Sequence, residues 1–235
     1  MSSPLPHVRN RQQKPVIIAP VDPGESACWT RLLENELGDR TSVLTRTVRG
    51  MVIESDQDVE ALLDIVLSGR EAFAHAQRVR LLAMATARAL DLPEDEAAVL
   101  GRAALVHDIG KTALPLALMG KPAALTADEL ALVRTYPSIG AAVVSGVSLL
   151  KTAAPLVRDA HERVDGEGFP RGVRADAVAL SARILGVADA YDVMTHPRVY
   201  RDAMSCPQAL LELDRCTDTQ FDASVVQAFR GIIPR

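Results

Sequence analysis

The sequence predicts a mainly α-helical protein, a helical bundle preceded by a small α/β N-terminal segment. Three observations carry this expectation. From Ser55 onward, apolar residues recur at helical spacing and are punctuated by cap and break signals. Aromatic residues make up only 3% of the chain and alanine is abundant, so small side chains of high helix propensity suit closely packed helices. Before Ser55, residues 41–54 (TSVLTRTVRGMVIE) are rich in β-branched side chains and read as one or two strands.

Taken in order, residues 1–14 read as a frayed polar tail and 15–57 as the α/β segment. In that segment 15–20 (PVIIAP) is a short strand, Asp22-Pro23-Gly24-Glu25 a turn and 26–37 a short helix. Residues 58–235 form the helical domain. Ser55 to Asp58 offers N-cap residues ahead of the apolar run VEALLDIVL. A long helix is expected over 70–90, ended by Asp91-Leu92-Pro93, and another over 94–107. Thr126 and Glu129 resemble a capping box heading a helix that reaches the mid-140s with a kink at Pro137. Further helices are expected over 151–162, 177–194, 207–215 and 223–230.

Composition narrows the function. The chain has 235 residues and a net charge of −4, which argues against a general nucleic-acid surface and requires any anionic ligand to meet a local cluster of positive charge. Three cysteines are too few and too scattered for a disulfide framework or a zinc ribbon, and a reducing cytoplasm is the simplest location. No apolar stretch approaches a membrane span, and the first dozen residues lack the apolar region of a signal peptide.

Five local features carry chemistry. His107 and Asp108 (LVHDIGK) follow an apolar helix that ends at Gly110. Near a helix end both side chains can converge on one ion, and imidazole with carboxylate suits Mn, Fe or Zn better than Ca. Taken alone, the pair reads more readily as an ordinary buried histidine beside a solvated aspartate. His161 runs into a Gly-rich turn (HERVDGEGFP). Asp189 sits inside an apolar helical stretch (RILGVADAYD), where a carboxylate needs a cation or several donors. Arg198 and Arg201 are spaced to face one anion, although such pairs are more often surface ion pairs. Glu71 and His75 share one helix face, a spacing that can hold a metal but is common on surfaces.

In this order along the chain, His75, His107-Asp108-Ile-Gly-Lys111, the His161 segment, Asp189-Ala-Tyr-Asp192, Arg198-x-Tyr-Arg201 and the closing TQFD at 219–222 resemble the HD-GYP family. This is a branch of the HD superfamily of metal-dependent phosphohydrolases, and the resemblance spans about residues 70–232. It implies an HD-type helical bundle. It also implies hydrolysis of cyclic di-GMP in bacterial second-messenger signalling, by metal-activated water attacking phosphorus in line with the departing oxygen. The family's metal ligands fall on His75, His107, Asp108 and Asp189, with His161 at the second site and Glu71 at an additional one. The catalytic roles fall on Asp108 and Lys111, and the phosphate contacts on Lys111, Arg198 and Arg201.

Two family ligands are missing. Tyr136 stands where the family has the histidine of a His-Pro segment, and Ala160 replaces the first of two adjacent histidines. A phenol of ordinary pKa about 10 is a poor ligand. Asp159 points about 100° away around the helix from position 160, which argues against direct replacement. Phe169 stands in the Gly-Tyr-Pro signature and loses one hydroxyl.

The resemblance therefore implies a divalent cofactor, Fe or Mn, with one ion rather than two or three. It implies a cyclic dinucleotide ligand, with no nucleic-acid polymer and no membrane, and leaves room for a signalling-protein partner or a homodimer. Three outcomes follow from the lost ligands: a weakened or altered phosphodiesterase, a mononuclear hydrolase for another nucleotide, or a silent relative that binds a nucleotide or a partner.

Overall fold

The structure, a computed structural model, describes residues 23–67, 70–197 and 202–234. The expected tail and the strand over 15–20 lie outside these residues. Among the described residues the regular elements are all helical, in agreement with the mainly α expectation. Among the described residues of the N-terminal segment there is no strand. Its expected helix over 26–37 and the first part of its expected strands, 41–49, form one helix, α1 (Pro23–Arg49), and 50–54 form a turn and irregular chain before α2 begins. Packing overrides the β-branched composition: Leu33, Leu44 and Val48 recur on one helical stripe and are buried, while Val43 and Thr47 face solvent. α1 rests on a 3-10 turn (Ile109–Ala113) and on the helix over Tyr136–Val144, and Arg40 Nη2 donates to the Thr112 carbonyl at 2.8 Å.

Ser55 caps α2 (Asp56–Val66) through a reciprocal capping box with Asp58. Then come α3 (Arg70–Ala89), α4 (Glu94–Val106) and the short α5 (Leu116–Met119). Thr126 and Glu129 form the expected capping box on α6 (Ala127–Val133). The kinked helix expected at Pro137 is two helices, because α7 (Tyr136–Val144) begins afresh with Pro137 in its first turn. Proline has no N–H to extend α6 and disfavours helical geometry in the residue before it, but its missing donor costs nothing at a helix start. The helix expected over 151–162 is likewise divided, into a 3-10 segment (Ser148–Ala153) and α8 (Ala154–Asp159). The remaining helices are α9 (Leu180–Thr195), α10 (Cys206–Arg215) and α11 (Ala223–Ile232).

α3, α4 and α9 pack against one another at the centre, and α11 closes over α3 and α9. Val79, Ala83, Leu100, Ala104, Leu185 and Val187 fill the space between them. Phe229 of α11 packs on the Tyr191 ring with centroids 5.0 Å apart. No helix among the described residues is long and apolar enough to cross a membrane.

One close backbone approach sets the position of α7. A Cβ added at Gly110 would lie 2.0 Å from the Tyr136 carbonyl oxygen and 2.8 Å from the Gly140 amide. Glycine at 110 therefore lets the turn after Asp108 lie directly on the start of α7. Gly110→Ala is expected to destabilise the fold by about 3 kcal/mol through overpacking against backbone that cannot yield. Urea unfolding with an unchanged m value would measure it.

Candidate metal centre

The central helices bring distant residues together. His75 lies on α3, His107 caps the end of α4, and Asp189 projects from α9. His107 keeps helical dihedrals, but Asp108 turns to φ −96°, ψ 2° as the 3-10 turn begins. That change of direction aims two adjacent side chains at one point. His107 Nε2 lies 3.5 Å from Asp108 Oδ1 and 3.7 Å from Asp189 Oδ1. His75 Nε2 lies 3.2 Å from Asp189 Oδ1 and 3.8 Å from Asp108 Oδ2.

Hydrogen bonds on the far side of each imidazole fix its orientation. His107 Nδ1 donates to the Ala104 carbonyl at 2.8 Å. His75 Nδ1 is 2.7 Å from Asp192 Oδ2. Arg78 donates to the same carboxylate, from Nε to Oδ1 at 2.6 Å and from Nη2 to Oδ2 at 3.0 Å. Each ring thus turns Nε2 inward, the arrangement that metal-binding histidines use.

The donor set fits a divalent cation. His107 Nε2 and Asp108 Oδ1 are buried and have no hydrogen-bond partner among the described residues. Ligand atoms of His75, His107 and Asp108 all lie within 4.8 Å of one another. The electrostatics agree. Burial opposes the charged form of His75, yet the carboxylates of Asp189, Asp192 and Asp108 hold its pKa up at about 9. His107 is raised against its burial by Asp108 and Asp189. Burial would raise both carboxyls, but Lys111 and His107 lower Asp108, and the two histidines lower Asp189. The site attracts positive charge, and a metal ion can take the place of its protons.

The expected second site has a different character. Tyr136 does face the centre, and its hydroxyl is 2.5 Å from His161 Nε2. Burial, aided by Asp108 and Asp189, holds the Tyr136 pKa well above its usual value. Burial also lowers His161 to about 4. The Tyr136 hydroxyl thus occupies the inward nitrogen of His161. Phe169 stacks on the face of the His161 ring, 5.2 Å between centroids and 7° between planes. Asp159 accepts from Arg158 and Arg171 and is no substitute ligand. Asp108 Oδ2 accepts from Lys111 Nζ at 2.7 Å, and that ammonium lies 5.0 Å from the Tyr136 ring centroid.

Glu71 shares the His75 side of α3, but its carboxylate accepts from Arg78 at 2.8 Å and is 61% exposed. Arg198 and Arg201 lie outside the described residues. Arg78 and the anchoring role of Asp192 went unread in the sequence. Their signal was the three-residue spacing from His75 and from Asp189, which puts each pair on one helix face.

Helical bundle and buried His-Asp cluster together define an HD domain, and a family model described as the HD domain matches residues 60–225. A Pseudomonas aeruginosa protein named as a cyclic di-GMP phosphodiesterase is 32% identical over 192 residues, covering 80% of this chain and 45% of that protein. The Xanthomonas campestris response regulator RpfG, also named as a cyclic di-GMP phosphodiesterase, is 35% identical over 157 residues, 66% of this chain and 42% of that one. A 3'3'-cGAMP-specific phosphodiesterase of Vibrio cholerae is 33% identical over 156 residues, 66% of this chain and 34% of that one. This chain spans less than half the length of these relatives. An HDG"Y"P protein from Bdellovibrio bacteriovorus shares the fold, with a TM-score of 0.55 at 19% identity over 83% of this chain and 63% of that one. The chain belongs to the HD-GYP branch of the HD domain family.

The Asp192 side chain is 1% exposed, so removing it strands two donors in the interior. Asp192→Ala is expected to cost about 3 kcal/mol, the lower end for breaking a buried charged pair because Arg78 is partly solvated. A lowered urea midpoint at constant m value is the readout.

Proposed function

We propose that this chain hydrolyses a phosphodiester bond of a cyclic dinucleotide, cyclic di-GMP, at a single divalent metal centre. The observation that carries the reading is the buried cluster in which His107 Nε2 and Asp108 Oδ1 have no hydrogen-bond partner among the described residues. His75, His107, Asp108 and Asp189 would hold the ion, and imidazole with carboxylate favours Fe or Mn. When bound, such an ion supplies Lewis acidity to a phosphoryl oxygen and makes water a usable nucleophile near neutral pH.

The chain's own residues position and balance the reacting groups. Asp192 and the Ala104 carbonyl hold the two imidazoles in register. Lys111 neutralises Asp108 from the side of Tyr136 and places an ammonium where a phosphate can be met, its side chain 38% exposed. Arg198 and Arg201 complete the phosphate contacts in this reading, on the strength of the sequence motif alone.

The single-ion reading is supported by the Tyr136 hydroxyl on His161 Nε2 and by the methyl at position 160. The same feature favours a second reading, a silent relative that binds the dinucleotide without turning it over. Relatives named for cyclic di-GMP and for 3'3'-cGAMP make both dinucleotides substrates to assay.

Protein loaded anaerobically with Fe or Mn is expected to linearise cyclic di-GMP, and Asp108→Ala to abolish this. Binding without turnover would establish the silent reading instead. Metal analysis is expected to give one ion per chain, rising to two in the double variant Tyr136→His, Ala160→His. Two ions in the native chain would refute the single-ion assignment.

A further inference from the structure

A cavity of about 290 Å³ opens beside Asp189 and His161, between the loop after α8, the middle of α9 and the turn before α11. Its floor is made of minimal residues. Ala160 and Gly186 both line it, and a Cβ added at Gly186 would come within 3.1 Å of the Ala160 carbonyl. Any longer side chain at 160 enters this space. The volume lies near the lower end of ligand pockets, room for one nucleobase rather than a whole dinucleotide.

The wall charges are unequal in their commitments. Arg163 is held by Asp165 and Gln220, and Arg183 by Asp222. Glu162 accepts from the backbone amides of Arg171 and Val173. Besides the buried Arg183 Nε, which has no hydrogen-bond partner among the described residues, two charged side chains form no ion pair or hydrogen bond there. These are the Glu167 carboxylate and the Arg134 guanidinium, which lies over the Phe169 ring, 5.7 Å from its centroid. Both line the cavity. A free acceptor pair and a free forked donor facing one slot match a base that offers both kinds of group. Guanine does so: its N1–H and N2–H₂ suit a carboxylate, and its O6 and N7 suit an arginine fork. Adenine has no N1–H and presents an amino group in place of O6.

We propose that the cavity opened by Ala160 is a guanine-recognition subsite, with Glu167 accepting from the N1 and N2 edge and Arg134 donating to O6 and N7. It rests on the cyclic-dinucleotide reading and sharpens it, since it selects guanine-bearing dinucleotides. Loop geometry supports the placement. Gly168 allows the loop to fold tightly under Glu167, because a Cβ there would lie 2.5 Å from the Arg163 amide nitrogen. The loop is in turn fastened to the 217–222 turn, Val164 N–H to the Gln220 carbonyl at 3.4 Å and Asp165 N–H to the Thr219 carbonyl at 2.9 Å.

The test is calorimetric binding of hydrolysis-resistant phosphorothioate analogues of cyclic di-GMP and cyclic di-AMP to the metal-loaded chain. Wild type is expected to prefer the guanine analogue at least tenfold. Glu167→Gln, an exposed change, should cut that preference about tenfold, or about 1.4 kcal/mol. Ala160→Leu should weaken the guanine analogue about tenfold while metal content stays unchanged. A guanine-to-adenine ratio that survives Glu167→Gln overturns the subsite and leaves the catalytic reading standing. Failure of wild type to bind either analogue overturns both.

Discussion

Asp192 is fully buried in α9, and its carboxylate accepts from His75 and Arg78 of α3. An isolated buried carboxylate is very costly, so this one holds α3 and α9 in one register or it cannot exist. Everything functional in the chain leans on that register. It turns His75 Nε2 toward Asp189, one turn earlier on α9, and so sets the distance between the two ligands. It also places α4 between them, because α4 packs on both α3 and α9 and ends at His107. Anchoring a carboxylate outside the centre thus decides the geometry inside it.

A second constraint governs the other half of the site. The contact of Gly110 with the Tyr136 carbonyl leaves no room between the turn after Asp108 and the start of α7. Whatever residue occupies 136 is therefore delivered to Asp108 and His161. In this chain that residue is a tyrosine, and the consequence is local and chemical rather than architectural. The fold keeps its backbone, while the inward nitrogen of His161 is taken up by the Tyr136 hydroxyl.

Much of this was legible in the sequence. Capping boxes at Ser55 and Thr126 marked helix starts because their hydrogen bonds are local and need no tertiary partner. The ligand residues were legible because several segments matched one family in order, and each segment alone would have read as an ordinary surface or core feature. The errors came where packing outweighed composition. β-branched residues at 41–49 form a helix because Leu44 and Val48 find a surface to bury against. Pro137 was expected to bend a helix, but α6 ends at Val133 and the chain restarts at Tyr136 with Pro137 in the first turn. Arg78 escaped notice because an arginine three residues from a histidine has no meaning until α9 supplies the carboxylate between them.

Charge explains how the centre tolerates the loss of two imidazoles. Three carboxylates, Asp108, Asp189 and Asp192, face two permanent side-chain cations, Arg78 and Lys111. Arg78 is shared with the Glu71 carboxylate, so negative charge is in excess and suits a divalent ion. A second ion would have to compete with Lys111 for Asp108 Oδ2. Lys111 already lies on the side of the Tyr136 ring, so its ammonium places positive charge there. On the single-ion reading proposed above, the tyrosine and the alanine are not isolated losses, because a lysine and a phenol take up the Asp108 oxygen and the His161 nitrogen that a second ion would need.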